Sequence, residues 1–246
     1  MPALLKNHPF AVEAFFKSSI VVAYAFPPKE LRPLVPPFLE LDVFDERFAF
    51  VAVAMVQTRD LRPKGFPRFL GSDFFLIGYR VFVRFTDANG KRSRGLYILG
   101  SRTDSSRMEL FGNIFTQYNY STINIEHTEE NGMITIGSKD ENFLLKCEPA
   151  DDECLLPNGT PFSSWNEARR FAGPLPFTFT YLQAENKLLV VEGVRENWTP
   201  RPVNVIDHRF TFVEAIGRGN GVLANAFIVE NVPYYWKKGR LEMIPH

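Results

Sequence analysis

The residues best able to do chemistry in this chain gather between Arg94 and Thr128. Tyr97, Glu109, Thr116, Gln117, Tyr118 and Tyr120 bring a carboxylate, hydroxyls and an amide into a stretch rich in apolar residues. A few polar groups set in an apolar wall make up the usual lining of a small-molecule site. Glu109 leads the group, because a helix carboxylate beside a cavity can give or take a proton. Thr116 is the second catalytic candidate. Tyr97, Gln117 and Tyr118 are candidate ligand contacts. The competing reading of each is that it completes the core or makes a local hydrogen bond.

Arg80, Arg84, Arg94 and Arg102 fall in or beside neighbouring expected strands. Arg80 and Arg84 share strand parity and point to one face. If that face lines a cavity, they form a clamp for a carboxylate or phosphate, a task suited to the planar guanidinium. If it faces water, they are the outer residues of an amphipathic strand, with Tyr79, Val81 and Val83 inward. The second orientation is preferred for the pair, while Arg80 and Arg102 stay candidate ligand contacts.

Other chemistries find no pattern. His8, His127, His208 and His246 lack paired-ligand spacing, and no His-Glu-x-x-His occurs, so no metal is expected. No other cofactor is expected. There is no Gly-x-Ser-x-Gly elbow for a serine hydrolase. Gly217-Arg-Gly-Asn-Gly221 lies between expected strands, so it reads as a turn and not a phosphate loop, which needs a following helix.

The elements that must position these residues are mostly strands. Strands are expected at Ser19–Phe26, Leu39–Phe44, Phe48–Gln57, Phe74–Phe85, Arg94–Leu99, Tyr118–His127, Met133–Ile136, Asn142–Cys147, Phe177–Leu182, Lys187–Gly193, Arg209–Val213 and Val222–Glu230. Residues 39–57 are expected to form a hairpin around Asp45-Glu46. Val12–Lys17 reads as a helical turn, and Lys29–Leu34 as a short helix opened by proline. Arg107–Phe115 reads as a helix capped by Asp104 or Ser105. Ser164-Trp-Asn-Glu167 is a capping box that opens another. Helices this few and scattered do not make βαβ crossovers. The expected fold is therefore mostly β: a single antiparallel β barrel or cone over residues 1–246, with a few short peripheral helices.

Composition narrows the partners. With 28 basic and 28 acidic residues there is no basic surplus, and no basic cluster interleaves with aromatics, so nucleic acid is not an expected partner. The apolar run Phe48–Val56 is too short for a membrane helix, so no membrane is expected. The first residues lack a signal-peptide core. Two cysteines give no disulfide framework. The expected location is cytoplasmic. Long aromatic strands also make a homodimer an open expectation.

Several blocks together resemble one family. They are Leu31–Asp45, the loop Leu61-Arg-Pro-Lys-Gly-Phe-Pro67, the strand Gly78–Val83, the strand Gly95–Leu99, and Glu192 with Trp198-Thr-Pro200. They are similar to the uncharacterised DUF2071 (YqjF-like) family of the acetoacetate decarboxylase-like superfamily. The resemblance implies a large antiparallel β barrel or cone with an internal cavity. Acetoacetate decarboxylases use a Schiff-base lysine whose amine is kept neutral, and that enzyme is a standard example of such tuning. Their pattern is roughly Glu-x-x-Gly-x-x-Lys-Lys. Here Glu109 and Gly112 match, but Phe115 and Thr116 stand at the lysine positions. The catalytic Glu of their preceding strand has no counterpart in Phe75-Leu-Ile-Gly78. Lys17 falls about where those enzymes place an arginine that helps to hold a carboxylate, which makes it a candidate ligand contact.

The functional expectation is an acetoacetate decarboxylase-like protein that binds a small organic acid, carboxylic or keto, in its cavity without a Schiff-base lysine. Acid–base chemistry is left open. One alternative is a non-catalytic binder of an apolar metabolite or lipid. Another is a decarboxylase with a relocated lysine, drawn from Lys64, Lys139 and Lys146.

Overall fold

A computed structural model describes residues 6–196 and 198–244. His246 lies outside the described residues. Strand β1 (Val12–Phe26) leads through helix α1 (Pro28–Leu31) and a 3-10 turn to β2 (Glu40–Leu41) and β3 (Ala49–Pro63). A hairpin of β4 (Ser72–Thr86) and β5 (Arg92–Thr103) precedes helix α2 (Ser106–Phe115). Then come β6 (Tyr120–Thr122), β7 (Glu126–Glu130), β8 (Met133–Ser138) and β9 (Phe143–Pro149). Helix α3 (Trp165–Ala172) precedes β10 (Phe177–Leu182) and β11 (Lys187–Arg195). The last elements are β12 (Arg201–Phe210), helix α4 (Thr211–Ala215), β13 (Val222–Trp236) and β14 (Arg240–Met243).

Strands pair in the order β11-β10-β5-β4-β3-β1-β13, and β13 pairs back onto β11. The closing contact sets Gly193–Arg195 against Trp236–Tyr234. The hydrogen-bonded path thus returns on itself, which removes the long unpaired edges that so many strands would leave. Most pairings are antiparallel, as expected. The seams β5–β10 and β5–β6 are parallel. A second sheet, β12-β9-β8-β7, branches from β13 at Arg201 and Pro202.

Both faces of the ring are covered. Val22, Val51, Tyr79 and Val81 pack with Ile136, Leu145 and Phe210 of the second sheet. On the other face, Phe50, Phe82 and Phe227 pack with Trp165, Ala168 and Ala172 of α3. Each fully buried Val, Leu, Ile or Phe among them contributes about 1.5–3 kcal/mol of apolar burial. Two helix starts follow their sequence signals. Ser105 Oγ caps α2 by accepting from Met108 N at 3.2 Å. Ser164 Oγ caps α3 by accepting from Glu167 N, while Glu167 returns to Ser163 N and not to Ser164.

Several expected elements are corrected. Val12–Lys17 is the start of β1, not a helical turn. Register shifts at Glu13/Phe15 and Phe16/Ser18 break its alternation and imitate helical spacing. The segment 118–127 divides into β6, beside β5, and β7, in the second sheet. Leu39–Phe44 does not form the full hairpin: β2 pairs with β4, and only Phe44 bridges to Phe48. Residues 211–215 are helix α4, not strand. Tyr234-Tyr-Trp236 ends the ring-closing strand β13.

Ring closure depends on an approach that only glycine permits. A Cβ on Gly193 would lie 1.8 Å from the Tyr234 hydroxyl, and Tyr234 is itself packed against Phe16. Gly193→Ala should therefore destabilise the protein by about 1–3 kcal/mol, the usual range for overpacking. Urea denaturation followed by circular dichroism checks this; an unchanged midpoint would mean that the seam carries no packing constraint.

Candidate functional site

The cavity forms where the end of α2 meets the ring. Its volume is about 310 Å³. Walls come from β3, β4, α2, β10, β13 and the segment that precedes β1. Phe10, Leu61, Phe74, Leu76, Met108, Phe111, Phe115 and Trp236 supply an apolar surface. His8, Thr58, Arg80, Thr116, Tyr118, Tyr120 and Thr178 are set into it, with Arg62 and Arg107 also lining it. No carboxylate lines the cavity among the described residues.

Arg80 dominates the electrostatics. It is only 8% exposed. The orientation preferred from sequence is corrected here: β4 lies between β3 and β5 with both faces covered, so Arg80 has no solvent side to occupy. Two local features let a guanidinium fit. Gly78 leaves space, since a Cβ there would come within 2.7 Å of Arg80 Nη2. A bulge in β5 skips Leu99, so Tyr79 pairs with Gly100 and Arg80 with Ile98. Arg80 Nη1 donates to the carbonyls of Gly100 at 2.7 Å and Tyr79 at 3.0 Å. Nη2 donates to Ser101 Oγ at 3.2 Å. These partners are neutral, and Nε makes no hydrogen bond among the described residues. Burial lowers the guanidinium pKa, offset in part by Tyr120 and Tyr118. Arginine nonetheless keeps its charge.

The tyrosines stand around this cation. The Arg80 guanidinium lies 5.8 Å from the Tyr118 ring centre, within cation–π range. The Tyr118 hydroxyl is 3.2 Å from Thr178 Oγ1. Burial pushes the Tyr118 phenol up to about 12, and Tyr120 higher still. Both therefore remain protonated donors at neutral pH. Gly112 lets α2 settle on Tyr120, since a Cβ there would lie 2.4 Å from the ring.

His8 was considered from sequence only as a metal ligand. It is 5% exposed and lines the cavity. Its amide donates to the Phe115 carbonyl at 2.9 Å, and its carbonyl accepts from Gly239 N at 2.9 Å. No short-range sequence signal marks it, because these partners are more than a hundred residues away. Burial lowers its pKa from 6.5 to about 4.

The other sequence candidates are dispersed. Thr116 is on the wall, with its hydroxyl donating to Gly112 O at 2.7 Å. Glu109 is not on the wall; its carboxylate accepts from Thr122 N at 2.8 Å and from the Thr122 hydroxyl, tying α2 to β6. Arg102 pairs with Glu141. Tyr97 packs into the core on the opposite face. Lys17 is exposed at a β1 irregularity, and its charge helps to lower the pKa of His127 behind burial. Gln117 is half-buried beside Thr116 and is not on the wall. Arg84 and Arg94 both pair with buried Asp42, each at 2.5 Å. Lys64 lies 3.7 Å over the Tyr235 ring, and Lys139 is exposed near Glu126.

The model of the DUF2071 family, described as an uncharacterized conserved protein, matches residues 14–241. The chain belongs to the DUF2071 family. No curated protein matches it. Among solved structures, acetoacetate decarboxylase from Legionella pneumophila is similar over 98% of this chain and 92% of its own, at 14% identity and a TM-score of 0.60. An acetoacetate decarboxylase-like enzyme from Sphingomonas wittichii covers 98% and 95%, at 11% identity and a TM-score of 0.59. An enduracididine biosynthesis enzyme covers 98% and 90%, at 12% identity and a TM-score of 0.51. DUF2071 thus shares the acetoacetate decarboxylase-like fold. At such identities the likeness establishes fold alone.

Two outcomes follow from this geometry. Since folding lowers the His8 pKa, the unfolded chain takes up the proton first as pH falls below 6.5. Stability should fall between pH 6.5 and about 4, and His8→Asn should remove up to roughly 3 kcal/mol of that loss. Denaturation midpoints of both proteins across this range measure it; parallel curves would show that His8 is not protected. Glu109→Gln should cost about 1 kcal/mol of stability through its weakened bonds to Thr122, with ligand affinity unchanged.

Proposed function

We infer that the cavity binds a small organic acid, with its carboxylate on Arg80 and its apolar body against the aromatic wall. The observation that carries this reading is a buried guanidinium with no carboxylate partner among the described residues. A buried charge is costly unless it is paired. Among the described residues no carboxylate lines the cavity, and a ligand carboxylate would neutralise the charge. Tyr120, kept protonated by burial, adds a neutral phenol to the same wall, while the Tyr118 hydroxyl is engaged with Thr178.

Binding proceeds without a Schiff base. No lysine is among the residues that line the cavity. At the two positions where the resemblance implies lysines, Phe115 and Thr116 face it instead. An arginine beside phenolic donors can also stabilise negative charge that develops next to a carboxylate, as in an enolate. Glu109 has no place in that chemistry, because its carboxylate is engaged by Thr122.

The test is calorimetric titration with phenylpropionate and octanoate, each beside its neutral primary amide. The acids should bind, and the amides should bind at least tenfold more weakly. Arg80→Met should weaken the acids by about 1.5–3 kcal/mol, the value of hydrogen bonds to a charged group, and leave the amides unaffected. Equal binding of acid and amide would sink the reading and point to a cavity that takes apolar molecules by shape alone.

A further inference from the structure

The segment before β1 holds one residue in an unusual backbone state. His8 has φ of +53°, in the left-handed region that non-glycine residues seldom enter. Three backbone bonds fix this segment: His8 N to Phe115 O, Gly239 N to His8 O, and Lys64 N to Ala11 O, each at 2.9 Å. Phe10 packs edge-on against Phe115 at 5.3 Å. The result is a histidine ring pressed into the cavity wall.

The ring's tautomer follows from its neighbour. His8 Nδ1 lies 3.1 Å from the Phe10 carbonyl, which can only accept. Nδ1 therefore carries the hydrogen, and Nε2 is left with a bare lone pair. Nε2 has no hydrogen-bond partner among the described residues. Burial lowers the His8 pKa, so this acceptor persists at neutral pH.

Tyr118 is close to both His8 and Arg80. Its ring centre is 6.4 Å from that of His8 and 5.8 Å from the Arg80 guanidinium. His8 and Arg80 are thus no further apart than these two distances laid end to end. A ligand held at Arg80 can reach His8 along the Tyr118 ring.

We propose that His8 Nε2 receives a hydrogen-bond donor carried by the ligand, so that the cavity selects hydroxylated acids over plain ones. The selection rests on the reading of Arg80 as the carboxylate anchor. An acid without the donor would cover Nε2 and leave it unpaired, whereas the hydroxylated acid satisfies it. Recognition then has two poles: an anion at Arg80 and a neutral donor at His8, with an apolar span between them.

Two pairs of probes test this: phenylpropionate with its para-hydroxy analogue, and octanoate with ω-hydroxyoctanoate. In the unmodified protein the hydroxylated member of at least one pair should bind about tenfold tighter. In His8→Phe that preference should fall to about one, whatever the absolute affinity for the plain acid becomes. Since His8→Phe can fail to fold at this backbone, a second measurement uses the unmodified protein. The imidazole nitrogen-15 resonance of Nε2 should move upfield with the hydroxylated acid and stay in place with the plain one. Acid binding with no hydroxyl preference, or an unmoved Nε2 resonance, overturns the role of His8 alone. No binding of any acid, or acid binding unaffected by Arg80→Met, overturns the carboxylate reading and this one with it.

Discussion

Burying a guanidinium without a carboxylate is the constraint around which this cavity is organised. Moving a charge from water to a protein interior costs several kcal/mol even after relaxation. The fold offsets part of that cost with neutral groups. A bulge in β5 brings the Gly100 carbonyl to Arg80, Ser101 adds a hydroxyl, and Tyr118 adds a ring face. Gly78 makes the space in which the side chain lies. None of these supplies a negative charge. Among the described residues the cavity wall thus offers Arg80 no counter-charge.

Arg84, four residues along the same strand, shows the contrast. Its charge, with that of Arg94, meets the carboxylate of Asp42, which is fully buried. Arg94 Nη2 also donates to the Phe171 carbonyl at 2.8 Å, so this cluster ties α3 to the ring. The two arginines share parity and chemistry. What separates the two is whether a carboxylate arrives from elsewhere in the chain, and the segment after β2 delivers Asp42 to the Arg84 end.

Family membership and fold agree with the architecture expected from the strand count. The match to acetoacetate decarboxylases extends over nearly the whole chain at a TM-score near 0.6. A shared ring leaves its contents free to differ. Here the end of α2 contributes Phe115 and Thr116 to the wall, and the polar work passes to Arg80, His8 and two tyrosines. None of those groups is an amine able to form an imine.

The sequence by itself determined the β-rich class, most strand positions, an α2 cap at Asp104 or Ser105, which the structure assigns to Ser105, and the presence of polar groups around residues 97–120. These depend on local periodicity and capping chemistry, which neighbours within a few residues impose. Thr116 and Tyr118, two of that polar group, do lie on the cavity wall. The sequence misplaced Val12–Lys17, because strand irregularities set by distant partners disturb the alternation that a sequence reading relies on. It was silent on the role of His8 and leaned towards the wrong face for Arg80. Their roles depend on Phe115, Gly239 and Gly100, which reach them only when the ring closes. Parity gives two faces of a strand; only the tertiary structure decides what covers each one.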